Sequence, residues 1–387
     1  MRIFFWLGLV VGLLLLVQAR QSAPPLSPKT STSCAHAVSH NPGDRGPCTV
    51  EKVSRTTDLG AGVFRRRVEF EVYLPVEGAG TEKFPIVLFS PGLRLARSQY
   101  VSYLRHLASW GYVALVTERS DFWMRHETMA AHVKAVLDWL IAEAQSPESP
   151  LYGRADVSRV GLGGHSIGGK VAFMVAIARL RAGDRRILGV FGIDPVDDGP
   201  FGPSSLFPSV TPEQMGSVGV PFVALGETTD SLAPEWSISG CAPAGSNFRA
   251  FFHNAVSPAV EIDVLGAGHM SFLDNPDCGS ECKACRKGSA DAENVKQLAR
   301  RYITAFFQTV LKGEDSFRTF LCGPAMEQDE RDGLVVAAYA NGFCAAQQLE
   351  QTITPSLERI QQRKQFARPR GNAEGDDLAL TFSPGPI

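Results

Sequence analysis

The chain has 387 residues, of which 44% are hydrophobic and 20% charged, and its formal net charge is -2. That length accommodates one large domain or two modest ones with a substantial core, and the balance is ordinary for a globular protein. Neither a basic nor an acidic surplus is present, which excludes nucleic acid and polycationic partners as expectations.

Met1 and Arg2 precede a run of apolar residues and glycine over residues 3–17, and Val17-Gln18-Ala19 supplies a cleavage site. This is the layout of a secretory signal peptide over residues 1–19, and the run falls short of the about 20 apolar residues that a membrane span requires. Export is therefore expected, into a periplasm, the medium or a secretory lumen, or into a plastid if the source is an alga. Residues 20–59 read as an N-terminal extension, 60–312 as the core domain, 313–349 as a C-terminal appendage and 350–387 as a polar, disordered tail.

Residues 67–74 alternate, with Val68, Phe70, Val72 and Leu74 apolar, which predicts a half-buried strand. Residues 86–89 are continuously apolar, as in a strand covered on both faces, and end at Ser90-Pro91-Gly92. A helix is expected over residues 98–110 with Gly111 as its stop, and then a buried strand over 112–116. Met129, Val133, Val136, Leu137, Leu140 and Ile141 mark one face of a second helix. A strand over 160–163 runs directly to Ser166, and a helix pattern resumes over 170–180. Further strands are expected at 188–193, 222–225 and 261–265, a short helix at 247–255, and a long helix over 295–311. Strands alternating with helices predict an α/β fold: a mostly parallel sheet with helices on both faces and its site at the C-terminal ends of the strands.

Eight cysteines on an exported chain favour disulfides. Cys34 with Cys48 and Cys322 with Cys344 are the local pairings. Cys241, Cys278, Cys282 and Cys285 supply two further bonds whose connectivity the sequence leaves open. The alternative for these four is a tetrahedral zinc site. An oxidising compartment disfavours it, and no metal or cofactor is expected.

Chemistry centres on Gly164-His165-Ser166-Ile167-Gly168. A strand enters this motif and a helix leaves it, the context in which a serine is held exposed in a strained turn. The glycines remove side chains that would clash with strand and helix, and the helix N-terminus favours developing negative charge. A serine nucleophile needs a base. Of eight histidines, His36 and His40 lie in the N-terminal extension, while His106, His126 and His132 precede the motif. His165 adjoins the serine with its side chain expected to point away, and His253 sits in a short helix. His269 follows the last strand in a glycine-rich loop, which selects it as the base. For the acid, Asp194, Glu227 and Asp230 all follow strands, with Asp197 and Asp198 nearby, and position alone does not choose among them. The oxyanion donors are expected to be the N–H of Ile167 and that of Leu93 or its neighbour. Lys170 reads as a solvated helix residue.

Four segments stand in order: Gly164-His165-Ser166-Ile167-Gly168-Gly169-Lys170, Ile193-Asp194-Pro195-Val196-Asp197, Cys241-Ala242-Pro243 with Ser246-Asn247, and Gly268-His269-Met270-Ser271-Phe272-Leu273-Asp274. Across residues 60–312 they resemble the chlorophyllase branch of the α/β-hydrolases and, more distantly, the platelet-activating-factor acetylhydrolases. The resemblance implies an α/β-hydrolase fold, ester hydrolysis, and Asp194 as the acid, with Glu227 or Asp230 in reserve. Ile167 stands where chlorophyllases carry Arg. This departure, with the export signal and the extra cysteines, bears on chlorophyll as substrate more than on ester hydrolysis.

The expected activity is that of a serine carboxylesterase acting on small apolar esters through an acyl-enzyme, with Ser166, Asp194 and His269 as catalytic residues. Phe201, Phe207, Met270 and Phe272 are expected to contact the substrate, and a transient contact with a membrane or lipid surface fits such a ligand. A lipase or phospholipid acetylhydrolase is the alternative within this class. A catalytically inactive hydrolase fold acting as a binding module is the alternative outside it.

Overall fold

Strand β3 (Phe84–Ser90) is buried at every residue and lies between β4 (Val113–Val116) and β5 (Ala155–His165), parallel to both. This accounts for its unbroken apolar sequence: Val87 and Phe89 face one core while Ile86 and Leu88 face the other. The computed structural model describes residues 34, 41–60, 66–76, 83–120, 124–199, 207–231 and 240–344. Residues 1–19 and 350–387, together with Phe201, lie outside the described residues.

The remaining strands are β1 (Val50–Leu59), β2 (Arg66–Pro75), β6 (Ile187–Ile193), β7 (Phe222–Glu227), β8 (Ala259–Val264) and β9 (Val335–Ala340). Together they form one sheet in the order β1-β2-β4-β3-β5-β6-β7-β8-β9. The run from β4 to β8 is parallel, whereas β1, β2 and β9 join it antiparallel. This is the α/β-hydrolase fold.

Helices α1 (Val101–Ser109) and α5 (Ala292–Lys312) pack on one face of the sheet. On the other lie α2 (His126–Gln145), α3 (Ile167–Arg181) and α4 (Phe248–His253). The amphipathic pattern read over 295–311 corresponds to α5. Its Asp291 cap accepts the amides of Glu293 and Asn294, and it ends at Gly313 with φ 72°. Tyr302, Ile303, Phe306 and Phe307 are fully buried beneath the sheet, each contributing about 1.5–3 kcal/mol of hydrophobic stabilisation.

The sheet extends beyond both limits read from the sequence for the core. β1, within the range read as an extension, pairs with β2 along its whole length. β9, within the range read as an appendage, pairs with β8 from Val264↔Val335 to Ala259↔Ala340. Both are edge strands with weak periodicity, and their pairing is specified by their neighbours rather than by their own sequence.

Four disulfides are formed: Cys34–Cys48, Cys241–Cys285, Cys278–Cys282 and Cys322–Cys344. The four central cysteines are thus paired with one another and offer no thiolate to a metal.

Candidate active site

Ser166 ends the turn between β5 and α3 at φ 57°, ψ -131°, a conformation that costs energy for any residue with a Cβ. The turn closes tightly because Gly164 and Gly168 flank it. A Cβ on Gly164 would lie 2.2 Å from the Gly168 oxygen, and one on Gly168 would lie 2.2 Å from the Ser90 oxygen. Ile167 opens α3, and the first N–H groups of a helix have no acceptor within it.

Asp194 follows the end of β6, also at positive φ (43°), and is fully buried. His269 opens a short 3-10 turn after β8 and is 2% exposed. Its Nδ1 donates to Oδ2 of Asp194 at 2.6 Å, and its Nε2 accepts from the Ser166 hydroxyl at 2.9 Å. Those roles follow from the acceptor-only carboxylate, which fixes the imidazole tautomer. Burial opposes a charge on His269, but the charge and hydrogen bond of Asp194 outweigh it, so the imidazole lies above its ordinary 6.5. A serine oxygen bonded to an imidazole whose other nitrogen faces a buried carboxylate is arranged for proton removal from the hydroxyl.

The turn carrying His269 is held from two sides. Asp230 accepts the His269 amide at Oδ2 (3.1 Å) and the Arg286 amide at Oδ1 (2.8 Å). Arg286 follows Cys285, whose disulfide to Cys241 ties this segment to the loop after β7, where the Ala242 amide donates to the backbone carbonyl oxygen of Asp230. Of the two reserve acids, Asp230 therefore binds backbone. Glu227 is 1% exposed, and its Oε2 accepts the amides of Thr229 and Asp230.

His165 does not point away from the site. It is fully buried, with its ring centroid 4.6 Å from that of His269 and its Nε2 3.0 Å from the His269 carbonyl oxygen. A carbonyl only accepts, so Nε2 carries the proton. Nδ1 then accepts from the Tyr100 hydroxyl at 3.0 Å, and the Tyr100 oxygen in turn accepts the Gly92 amide at 3.0 Å. Burial pushes His165 well below the usual imidazole range, which keeps it neutral in this chain of bonds. Gly92 is pressed against the site, since a Cβ there would lie 3.0 Å from Nδ1 of His165 and 3.4 Å from Cβ of Ser166. Leu93, half-buried, follows in the same turn. None of these contacts had a signal in the sequence beyond residue type, because Tyr100, His165 and His269 lie on three separate elements.

Lys170 is not solvated. It is fully buried in α3 and pairs with Asp197, at 3.1 Å from Oδ1, while Nζ also donates to the Asp197 carbonyl oxygen. Asp197 Oδ2 additionally accepts the Thr211 amide at 2.8 Å and its hydroxyl at 2.7 Å. The pair thus pins the loop after β6 to α3, the helix that follows Ser166.

Of the residues expected to contact substrate, Met270 is half-buried beside His269. Phe272 is fully buried, with its ring 6.4 Å from that of His165, and Phe207 is 3% exposed against His126 at 4.7 Å. Both rings are buried in the interior. A cavity of about 530 Å³ lined by Arg45, Lys52, Tyr73, Arg105 and Arg300 includes none of Ser166, Asp194, His269, Phe207, Met270 and Phe272.

The family model described as Chlorophyllase matches residues 71–324, a span that includes Ser166, Asp194 and His269. The chain belongs to the chlorophyllase family. Chlorophyllase-2 of Arabidopsis thaliana is 26% identical over 241 residues, covering 60% of this chain and 75% of that protein. Chlorophyllase-1, chloroplastic, of Citrus sinensis is 28% identical over 275 residues, covering 67% and 78%. A more distant relative, Cutinase est1 of Thermobifida alba, is 26% identical over 157 residues, covering 38% and 50%. The family membership and these relatives make the chain a carboxylic-ester hydrolase.

Proposed function

We propose that the protein is a serine carboxylesterase that cleaves apolar esters through an acyl-enzyme, with Ser166 as nucleophile, His269 as base and Asp194 as its orienting acid. The observation that carries this reading is the unbroken line from the Ser166 hydroxyl through both nitrogens of His269 to the buried Asp194 carboxylate. His269 takes the serine proton as Oγ bonds to the ester carbonyl carbon. The oxyanion is met by the amides of Ile167 and Leu93. Collapse breaks the ester C–O bond, and His269 returns the proton to the departing alcohol. Water, deprotonated by His269, then attacks the acyl carbon and releases Ser166.

The family makes the phytyl ester of chlorophyll the first substrate to test, followed by aryl esters and phospholipid. Four disulfides favour an oxidising compartment, which supports export from the cytosol. A fluorophosphonate probe is expected to label wild-type protein at Ser166 and to leave Ser166→Ala unlabelled. Equal ester turnover by wild type and Ser166→Ala would sink the assignment.

A further inference from the structure

Two fully buried carboxylate oxygens have no hydrogen-bond partner among the described residues: Oδ1 of Asp194 and Oε1 of Glu227. The two residues sit at the ends of neighbouring parallel strands. Ile193 of β6 pairs with Leu225 of β7, placing Asp194 just beyond the pair and Glu227 at the end of the adjoining strand. Their other oxygens are engaged, Oδ2 with His269 at 2.6 Å and Oε2 with the amides of Thr229 and Asp230. Two bare, ionised oxygens buried at adjoining strand ends are costly, and a single proton shared between them removes both the repulsion and the unmet hydrogen bond.

We propose that Glu227 is held as the neutral carboxylic acid and donates its proton from Oε1 to Oδ1 of Asp194, acting as a positioning residue for the Asp194–His269 pair. The proton belongs on Glu227 because Asp194 faces the imidazole, which favours the ionised carboxylate there. The titratable groups acting on Glu227 are Asp194 from the end of β6 and His269 from the turn after β8. On its own turn stands Asp230, occupied by the amides of His269 and Arg286. The cation of α4 that acts on Asp194, Arg249, is already paired with Asp263 at 2.5 Å. Burial first and the charge of Asp194 second push the Glu227 carboxyl up to about 8. Above that pH the proton leaves to solvent, a second negative charge appears beside Asp194, and the carboxylate opposite His269 loses one of its two restraints.

The rate consequence rests on the catalytic reading above, whereas the protonation itself does not, and the tests are separable. Infrared titration of the full-length protein with carboxyl-labelled glutamate is expected to show a protonated-carboxyl band at neutral pH that carries the label shift. Burial also pushes the Glu261 carboxyl up, to about 7, so the component belonging to Glu227 is the one that vanishes as the pH rises through about 8 and is absent from Glu227→Gln. In Asp194→Asn it should titrate at lower pH, because the neighbouring charge is gone. In turnover, Glu227→Ala leaves Oδ1 bare and is expected to lower kcat about tenfold or more, while Glu227→Gln, whose amide donates to Oδ1 and accepts from the two backbone amides, restores it to within about threefold of wild type. Wild type should lose activity on the alkaline side, and Glu227→Gln should not. Absence of a labelled protonated-carboxyl band from wild type overturns the proposal even if no variant folds. An alkaline limb unchanged in Glu227→Gln overturns it equally. Failure of Ser166 to label would remove the enzymatic reading and leave the band untouched.

Discussion

The Nε2–H of His165 donates to the backbone oxygen of His269 at 3.0 Å, so the residue preceding the serine holds the turn that carries the imidazole. Through Nδ1 the same ring receives the Tyr100 hydroxyl, whose oxygen holds the amide of Gly92. One buried, neutral imidazole therefore links the turn after β3, the serine turn and the turn after β8. Replacing His165 with Leu frees all three, and kcat is expected to fall about ten- to a hundredfold with KM little changed. Tyr100→Phe keeps the ring packing and loses only the hydroxyl, for an expected loss of about tenfold or less. Steady-state kinetics on a single aryl ester check both, and a KM-dominated effect would count against a positioning role.

The charge of Asp194 keeps His269 above its ordinary 6.5 despite burial. The base must be neutral to take the serine proton, so kcat/KM is expected to fall as the pH drops, with a midpoint above 6.5. Asp194→Asn removes that charge and misdirects the tautomer, and should cost about 10⁴-fold in kcat. A pH–rate profile whose acid midpoint lies below 6.5 would contradict the assignment of the base.

The buried Lys170–Asp197 pair is expected to resist single replacements. Lys170→Met leaves Asp197 without its cation, and Asp197→Ala strands Lys170 together with the amides of Val210 and Thr211. Breaking one side of a buried pair costs about 3–5 kcal/mol, and the Asp197 variant should lie at the upper end because it loses more hydrogen bonds. Urea denaturation midpoints measure the order directly.

His126 is 1% exposed, and neither ring nitrogen has a partner among the described residues. Burial first, then the charge of Lys170, push it down to about 3, and burial brings His106 to about 4. In the folded protein both stay neutral where the unfolded chain would already bind protons. Their contribution to stability is therefore complete above pH 6.5 and is lost as the pH falls toward 4 and 3. Thermal unfolding of His126→Phe should show a shallower drop of Tm on acidification than wild type. Parallel curves would refute the role given to this ring.

Cutting the Cys241–Cys285 bridge by a double replacement with alanine is expected to cost about 2–4 kcal/mol of stability. It should also lower kcat in protein that remains folded, because the Arg286 amide helps fix the Asp230 carboxylate that holds the His269 backbone. A drop in Tm without any change in kcat would separate this bridge from the site.

What the sequence determined by itself is what short-range pattern encodes. The continuous apolar run in β3, the alternation in β2 and the stripe on α5 each carry the period of their own element. The glycines around Ser166 mark a turn that admits no side chain, and their position between strand and helix is equally local. Elimination singled out His269 as the expected base, and only the resemblance singled out Asp194 as the expected acid, since Glu227 and Asp230 stand in equally plausible sequence positions. Tertiary structure decided everything that depends on which elements become neighbours. β1 and β9 are strands because a fully formed partner lies beside them. Lys170 is buried because Asp197 arrives from the next loop, and His165 turns toward His269 because a backbone carbonyl awaits its proton. Asp194 and Glu227 reach adjoining strand ends only when β6 and β7 pair. A side chain's charge, direction and partner are set by the sum of its surroundings, and those are contributed by segments distant in the chain.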